Sequence, residues 1–467
     1  MSDKEFSNPS NGTEQVRGAD SMEAAQEWMR ARNIDDIECM VPDQAGVARG
    51  KMMPRDKFFT GPVMTMPSSI FSQTIAGDYP AEDDDFKHDP TDGDIYFEPD
   101  LSTLTLVPWE TDPTAQIIHD AYNRDRSPVN VAPRNVLKRV VQLYHDRGWA
   151  PVVAPEIEFY LVKPNTDPDY PLEPPIGRSG RPEIGRQSFS IAAINEFDDL
   201  IDDIYDFSAA QGLEIDTLIH EEGAAQMEIN LRHGDPLQLA DQVFLFKRTI
   251  REAALRHNMY ATFMAKPMSK EPGSAMHIHQ SVVDMETGRN IFSKADGEPS
   301  GEFLSFIAGL QNYMANVMCI MAPYVNSYRR LDRWSAAPIN VHWAYDNRTV
   351  GLRVPYSGPE ARRVENRVPS SDANAYLTIA ASLACGLVGI NKGLTPEDPI
   401  EGSARDKPFT LPRGLLEAVE LFTQNDDLVD ILGHQFVATY RAVKQAEYET
   451  FMRVISPWER EYLLLNV

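Results

Sequence analysis

The chain has 467 residues, a length that as a soft prior means about two or three domains. Its composition, 42% hydrophobic and 24% charged, is that of a soluble globular protein, and its formal charge of −26 argues against nucleic acid or an anionic membrane surface as a partner. Cys39, Cys319 and Cys385 are too few and too scattered for a disulfide framework or a zinc site.

The N-terminus, MSDKEFSNPSNGTEQ, has no apolar segment of the kind a signal peptide needs and reads as a polar tail up to Ala19. No run reads as the roughly eighteen uncharged apolar residues of a membrane span. A cytoplasmic location fits. Residues 22–32 have the spacing of a short amphipathic helix. IECMVPD, ARGKMMP, DIYFEPD and TLTLVPW are short β-rich pieces punctuated by Pro and Gly, with the acidic loop AEDDDFKHDPTDGD among them. These define a polar tail and short helix over 1–32 and a small β-rich unit over 33–130. A second unit, 131–467, opens with Pro133 and the helical spacing of Val136, Leu137, Val140, Val141 and Leu143–Tyr144.

Next comes the strand-like run APEIEFYLV, then a Pro- and Gly-rich loop over 164–187. Helical patterns recur at 195–211 and 235–257. Strand-like pieces recur at 225–231, 261–267, 275–283, 339–345 and 349–354. The stretch 371–467 is mostly helical. Strands and helices alternate without a regular βαβ period, which makes the class α+β. There is no GxxxxGK[ST] loop and no GxGxxG fingerprint, so a nucleotide site must be of another kind.

Side chains at i and i+2 of a strand share a face. Glu156 and Glu158 therefore sit side by side on an apolar element, where unpaired carboxylates would repel each other and lose hydration. A cation should sit between them. The same oddity recurs. Glu228 interrupts the apolar run AAQMEIN, with Glu221 in HEEG just before it. His277 and His279 stand at i and i+2 in AMHIHQS. Arg363, Glu365 and Arg367 alternate in RRVENRV. Arg348 and Arg353 lie in NRTVGLRVP, read as a β-hairpin arm. Carboxylates with an imidazole suit Mg²⁺ or Mn²⁺ rather than structural zinc. Arginines beside such ions are what phosphoryl transfer needs.

In this order, PEIEFYL, HEEGAAQMEIN, AKPMSKEPGSAMHIHQS, NSYRRL, NRTVGLRVP and RRVENRVPSSDANAYL resemble the successive active-site segments of the glutamine synthetase family. The wording of the last segment and the shape of the N-terminal part resemble most its γ-glutamylputrescine and γ-glutamylpolyamine synthetases. The resemblance covers roughly 33–460. It implies an N-terminal β-grasp domain and a catalytic domain with an antiparallel sheet, flanking helices and a helical C-terminus. It implies two Mg²⁺ or Mn²⁺ sites, one on Glu158, Glu221 and Glu228 and one on Glu156, His277 and Glu365. Gly273, Arg330 and Arg367 would bind L-glutamate. His279, Ser281, Arg348 and Arg353 would contact ATP. Arg348 and Glu221 would act in catalysis. The implied reaction phosphorylates the γ-carboxylate of glutamate with ATP and displaces the phosphate with an amine. The implied assembly is a dodecamer of two stacked hexameric rings.

Two departures narrow the expectation. Where family members that use ammonium carry an ammonium-binding Asp, this chain has Phe71–Ser72, with Asp78 several residues on. Where they carry a flap Glu, RRLDRWSAAP places Ala336. Removing two acids weakens a site for a small cation and opens volume for a substituted amine. The expected activity is a γ-glutamyl ligase for putrescine or a polyamine, with Glu222 or the acids at 82–85 as candidates to hold a distal ammonium. The alternatives are a ligase for a small monoamine (methylamine, ethanolamine or isopropylamine), a glutamine synthetase using ammonium, and a non-catalytic assembly.

Overall fold

The structure, a computed structural model, describes residues 15–61, 63–333 and 335–467. The polar tail thus falls outside the described residues over 1–14. Its remainder is packed rather than loose: Gly18 and Ala19 donate backbone N–H groups to the carbonyls of Leu104 and Leu101. Ser21 caps the first helix, Met22–Ala31, by accepting from the Ala24 N–H. That helix buries Ala25, Trp28 and Met29.

The N-terminal sheet contains β1 (Asp36–Pro42), β2 (Ala48–Pro54), β3 (Met64–Pro67), β4 (Asp94–Pro99), β5 (Thr105–Leu106) and β6 (Thr114–Tyr122). Its order is β2-β1-β6-β4-β3, with β5 added on β6, and only the β1–β6 pair is parallel. The sequence reading misses β3 and the central β6. β6 is buried along eight of its nine residues, so it shows no alternation, and Gln116, His119 and Asp120 interrupt its apolar character.

The second sheet contains β7 (Trp149–Val162), β8 (Ile215–His220), β9 (Gln226–Leu231), β10 (Tyr260–Thr262), β11 (Met276–Asp284), β12 (Trp343–Tyr345), β13 (Leu352–Val354) and β14 (Val364–Asn366). Its order is β12-β13-β14-β11-β7-β9-β8, with β10 pairing the end of β7. The strand-like stretches 261–267 and 339–345 shrink to three-residue strands. In NRTVGLRVP the strand part, β13 with Arg353, is an arm paired antiparallel with β14 as expected, while Arg348 lies off it, in the exposed turn between the parallel strands β12 and β13.

Helices cover the other face. Pro133–His145 buries Val136, Leu137, Val140, Val141 and Tyr144, the residues its spacing marked. Ala375–Lys392 runs through the core, capped by Asn374 and ended by Gly393 in the left-handed region. This helix and the stretch 301–321 are long and apolar enough to cross a membrane by composition alone, contrary to the sequence reading, but most of each is buried inside the protein. The stretch 301–321 escaped assignment for the same reason: a helix apolar all round shows no one-sided pattern.

Arg134, 2% exposed, binds the two units together. It donates to both carboxylate oxygens of Asp241 (3.0 and 2.8 Å), to Asp120 (2.5 Å) and to Asp100 (2.6 Å). Asp100 and Asp120 lie in the N-terminal sheet unit, and Asp241 lies on the helix Pro236–Arg256. Arg134→Ala strands these carboxylates without their counter-charge. We expect a loss of about 3–5 kcal/mol in urea-unfolding free energy. A loss below 1 kcal/mol would show that Arg134 does not hold the units together.

Candidate active site

The register of five strands brings the sequence-marked residues onto one face. His277 on β11 lies opposite Glu156 on β7, and Glu158 lies opposite Glu228 on β9. On the other side of β11, His279 lies opposite Glu365 on β14, and Glu365 in turn opposes Arg353 on β13. Side-chain alternation does the rest.

His277 stands between two carboxylate groups. Its Nδ1 is 3.3 Å from Glu156 and 3.8 Å from Glu365, and its Nε2 is 4.0 Å from Glu158. The ligand atoms of Glu156, His277 and Glu365 lie within 4.8 Å of one another, and so do those of Glu158, Glu228 and His277. The first group is the one expected from the sequence. In the second, His277 stands where Glu221 was expected. Glu221 lies nearby, and its charge raises the pKa of both Glu158 and Glu228. His279 donates or accepts at 2.8 Å from Glu156 and takes an N–H from Arg363 at 3.1 Å. Ser281 follows on the same face of β11, half-buried.

The electrostatics are those of a site suited to a cation. Burial, then the neighbouring carboxylates, pushes Glu158 up to about 8 and Glu228 up to about 10. Burial also raises Glu221. Burial and the Arg367 charge push His277 down to about 4, which leaves the imidazole neutral at pH 7, the form that ligates metals. Burial works against ionising Glu365 too, but Arg367 and the two histidines outweigh it and hold it at about 2. Hard oxygen donors with one neutral imidazole fit Mg²⁺ or Mn²⁺.

Arg367, Arg353 and Arg330, with the Arg363 that meets His279, surround this face. Arg367 pairs with Glu365, and Arg353 bridges Glu365 (2.8 Å) and Asp346 (2.6 Å). The Nε groups of Arg353 and Arg367 are buried and have no hydrogen-bond partner among the described residues. Arg330 is wholly buried and donates to the carbonyls of Val368 (2.7 Å) and Arg367 (2.9 Å), so it positions Arg367. Gly273 lies directly over Arg330. A Cβ there would come within 2.5 Å of the Arg330 Cγ and 2.7 Å of the Ala265 carbonyl. Arg348 is exposed in the β12–β13 turn, apart from this buried group.

Supporting residues went unnoticed in the sequence. Gln226 Nε2 and the Ala275 N–H both donate to Glu158, at 3.3 and 2.8 Å, and Ser371 donates to its carbonyl. Gln226 is two residues before Glu228 on β9, so alternation alone could have marked it. Glu183, inside the Pro- and Gly-rich loop, accepts from the Ala225 N–H (2.8 Å) and meets His220 (3.1 Å), fixing that loop beside Glu221. No periodicity announces it.

The glutamine synthetase catalytic domain matches residues 130–463. The γ-glutamylputrescine synthetase PuuA of Escherichia coli K12 is 34% identical over 464 residues, covering 97% of each chain. A glutamate–isopropylamine ligase of a Pseudomonas species is 33% identical over 444 residues, covering 93% of this chain and 96% of its own. The solved structure of ligand-free GmaS superposes with a TM-score of 0.81 at 27% identity, over 95% of this chain and all of that one. The chain belongs to the glutamine synthetase family. Within it, the chain is a glutamate–amine ligase, and its fold is the family's mixed-sheet, helix-flanked one.

Glu158 and Glu228 hold protons at neutral pH in the metal-free protein, whereas the unfolded chain releases them near the ordinary carboxylate value. Metal-free stability therefore falls as pH rises from about 5 through 8 and 10. Metal needs the deprotonated forms, so its stabilising effect grows over the same range. We expect Tm in chelator to drop between pH 6 and 9, and the Tm increment on adding Mg²⁺ or Mn²⁺ to widen. An increment independent of pH would contradict these protonation states.

Proposed function

We propose that the protein joins the γ-carboxylate of L-glutamate to a substituted amine through γ-glutamyl phosphate, at the expense of ATP. The observation that carries this reading is the carboxylate–imidazole face ringed by arginines with free buried N–H groups. Glu158, Glu221 and Glu228 would hold one Mg²⁺ or Mn²⁺, and Glu156, His277 and Glu365 the other. Such ions bridge phosphate oxygens and offset their charge.

The chain's own groups supply the rest. Arg367, set by Arg330 and Gly273, receives the glutamate. Arg353, Arg348, His279 and Ser281 face ATP, and Arg348, in its exposed turn, neutralises charge on the phosphoryl group in flight. A glutamate γ-oxygen attacks the terminal phosphorus and ADP leaves. The amine nitrogen then attacks the acyl carbon, phosphate leaves, and the nitrogen gives up a proton. An alkylammonium has a pKa near that of lysine, about 10, so only about one part in a thousand is neutral at pH 7. Glu221, beside the path of the nitrogen, is the candidate acceptor, although as a metal ligand it would be a weak base.

The preference for a substituted amine rests on what lines the two ammonium positions. Phe71 is fully buried against Phe97, and Ser72 donates to the Ser69 carbonyl, so neither offers an anion. Asp78 is exposed, and Ala336 is an exposed residue without a charge. Putrescine or a longer polyamine is the first choice of amine. A small monoamine is the second, favoured by one observation: Glu222 is paired with Arg186 (2.7 Å) and Asp83 with Arg441 (2.5 Å), so these acids already have counter-ions. Assembly as a cytoplasmic dodecamer completes the proposal; sedimentation would show its mass.

Phosphate release with ATP, Mg²⁺ and glutamate should be fastest with putrescine or spermidine, slower with methylamine, ethanolamine and isopropylamine, and slowest with ammonium, and should rise from pH 7 to 9. Ammonium as the best nucleophile would overturn the reading. Gly273→Ala should raise the glutamate KM at least tenfold while leaving the ATP KM within twofold. Equal effects on both would remove Gly273 from glutamate binding.

A further inference from the structure

A cavity lined by none of the carboxylates or histidines of the candidate active site lies where the N-terminal unit meets the catalytic unit. Its volume is about 580 Å³. The β1–β2 turn (Ala45–Ala48) and Ile75 form one wall. The helix Pro236–Arg256, residues 261–264 at and after the end of β10, Tyr324, Asn326 and the segment 372–376 form the others. The lining is largely apolar, with Val47, Ile75, Val243, Phe263 and Met264. Two cations converge on it. The Lys247 ammonium lies 5.5 Å and the Arg251 guanidinium 5.0 Å from the centre of the Phe263 ring.

These cations are short of anions. Lys247 donates to the carbonyls of Ser371 (2.6 Å) and Ala373 (3.0 Å), which leaves its third proton for another acceptor. Asp372 is the carboxylate whose charge reaches it. That group already accepts from the hydroxyls of Ser327 (2.8 Å) and Ser370 (2.5 Å), and burial raises its pKa. Arg251 lines the cavity, and among the described residues its partner is the Phe263 ring, with no carboxylate in reach. Burial lowers the pKa of both Lys247 and Arg251. The third cation lining the cavity, Arg248, differs. It donates to Glu38 at 2.7 Å and to the Gln116 Oε1 at 2.7 Å as well, which closes the seam between the units.

Arg251, with no carboxylate partner among the described residues, stands beside Lys247, which burial pushes down to about 7 and a neighbouring anion would hold protonated; this is a local reversal of sign in a chain of net charge −26. In a partly enclosed apolar cavity it favours an anion that brings an apolar body. We propose that this junction cavity binds a small organic anion, a carboxylate or phosphate on an apolar or aromatic body, with the anionic group between Lys247 and Arg251. The ligand touches both units at once, so its occupancy adds to the stability of the junction. This site does not depend on the identity of the amine or on the ligase reading.

Titration calorimetry on the full-length enzyme, saturated with Mg²⁺, glutamate and the non-hydrolysable ATP analogue AMP-PNP to fill the catalytic site, tests this with benzoate, phenyl phosphate and neutral benzyl alcohol. Benzoate or phenyl phosphate should bind and benzyl alcohol should not. The ratio of the two anions tells carboxylate from phosphate. Arg251→Ala should weaken the better anion at least tenfold. Arg251→Lys should recover part of that loss. In the absence of the probe, the KM values for glutamate and ATP should stay within twofold of wild type. No binding of either anion at millimolar concentration would overturn the proposal. So would equal binding by wild type and Arg251→Ala, or loss of binding when the catalytic site is filled.

Discussion

Carboxylates on one sheet face repel one another, and the arrangement of the second sheet follows from that repulsion. Alternation along β7 places Glu156 and Glu158 together, and antiparallel pairing adds Glu228 from one side and His277 from the other. Such a face is stable only with protons or metal ions on it. Glu158 and Glu228 hold protons in the metal-free protein, while Glu156 is kept ionised by hydrogen bonds from His277 and His279 that outweigh its burial. The face therefore has an intrinsic polarity. One half is ready for a cation at neutral pH, and the other must exchange protons for it. His277 touches both halves, one ring nitrogen to each.

Around that core the arginines are ordered by burial. Arg330 is spent on two carbonyls and acts through Arg367. Arg353 and Arg367 share Glu365 and retain free Nε–H donors. Arg348 stays in solvent on a turn. This gradient, from a fixed interior to a free rim, suits a reaction in which glutamate binds deep and charge moves outward to a nucleotide. Away from this face, Phe71 and Ser72 offer no acid, and Glu222 and Asp83 are paired with Arg186 and Arg441.

Much of this was legible in the sequence because strand period two is a strong constraint. Once APEIEFYL and AMHIHQS are strands, the sharing of a face by Glu156 with Glu158 and by His277 with His279 follows. Residues that act through backbone contacts could not be read. Glu183 comes from a loop of 24 residues (164–187) with no pattern, and the parallel pairing of β12 with β13 depends on strands only three residues long. Elements buried on all sides, β6 and the stretch 301–321, were missed because burial erases the periodicity that identifies an element. The role of His277 between both carboxylate groups was hidden for another reason: spacing says which residues share a face, not which of two neighbours a ring will reach.

The direct test of the two-centre account is the number of Mn²⁺ ions bound per chain, counted by electron paramagnetic resonance of the chelator-stripped enzyme. Two ions should bind to the wild-type chain and one to Glu365→Ala, while His277→Ala should weaken the ion held with Glu156 and Glu365 and leave the other. A single ion in the wild type, or an unchanged pair in Glu365→Ala, would contradict the claim that this face holds two adjacent cation sites.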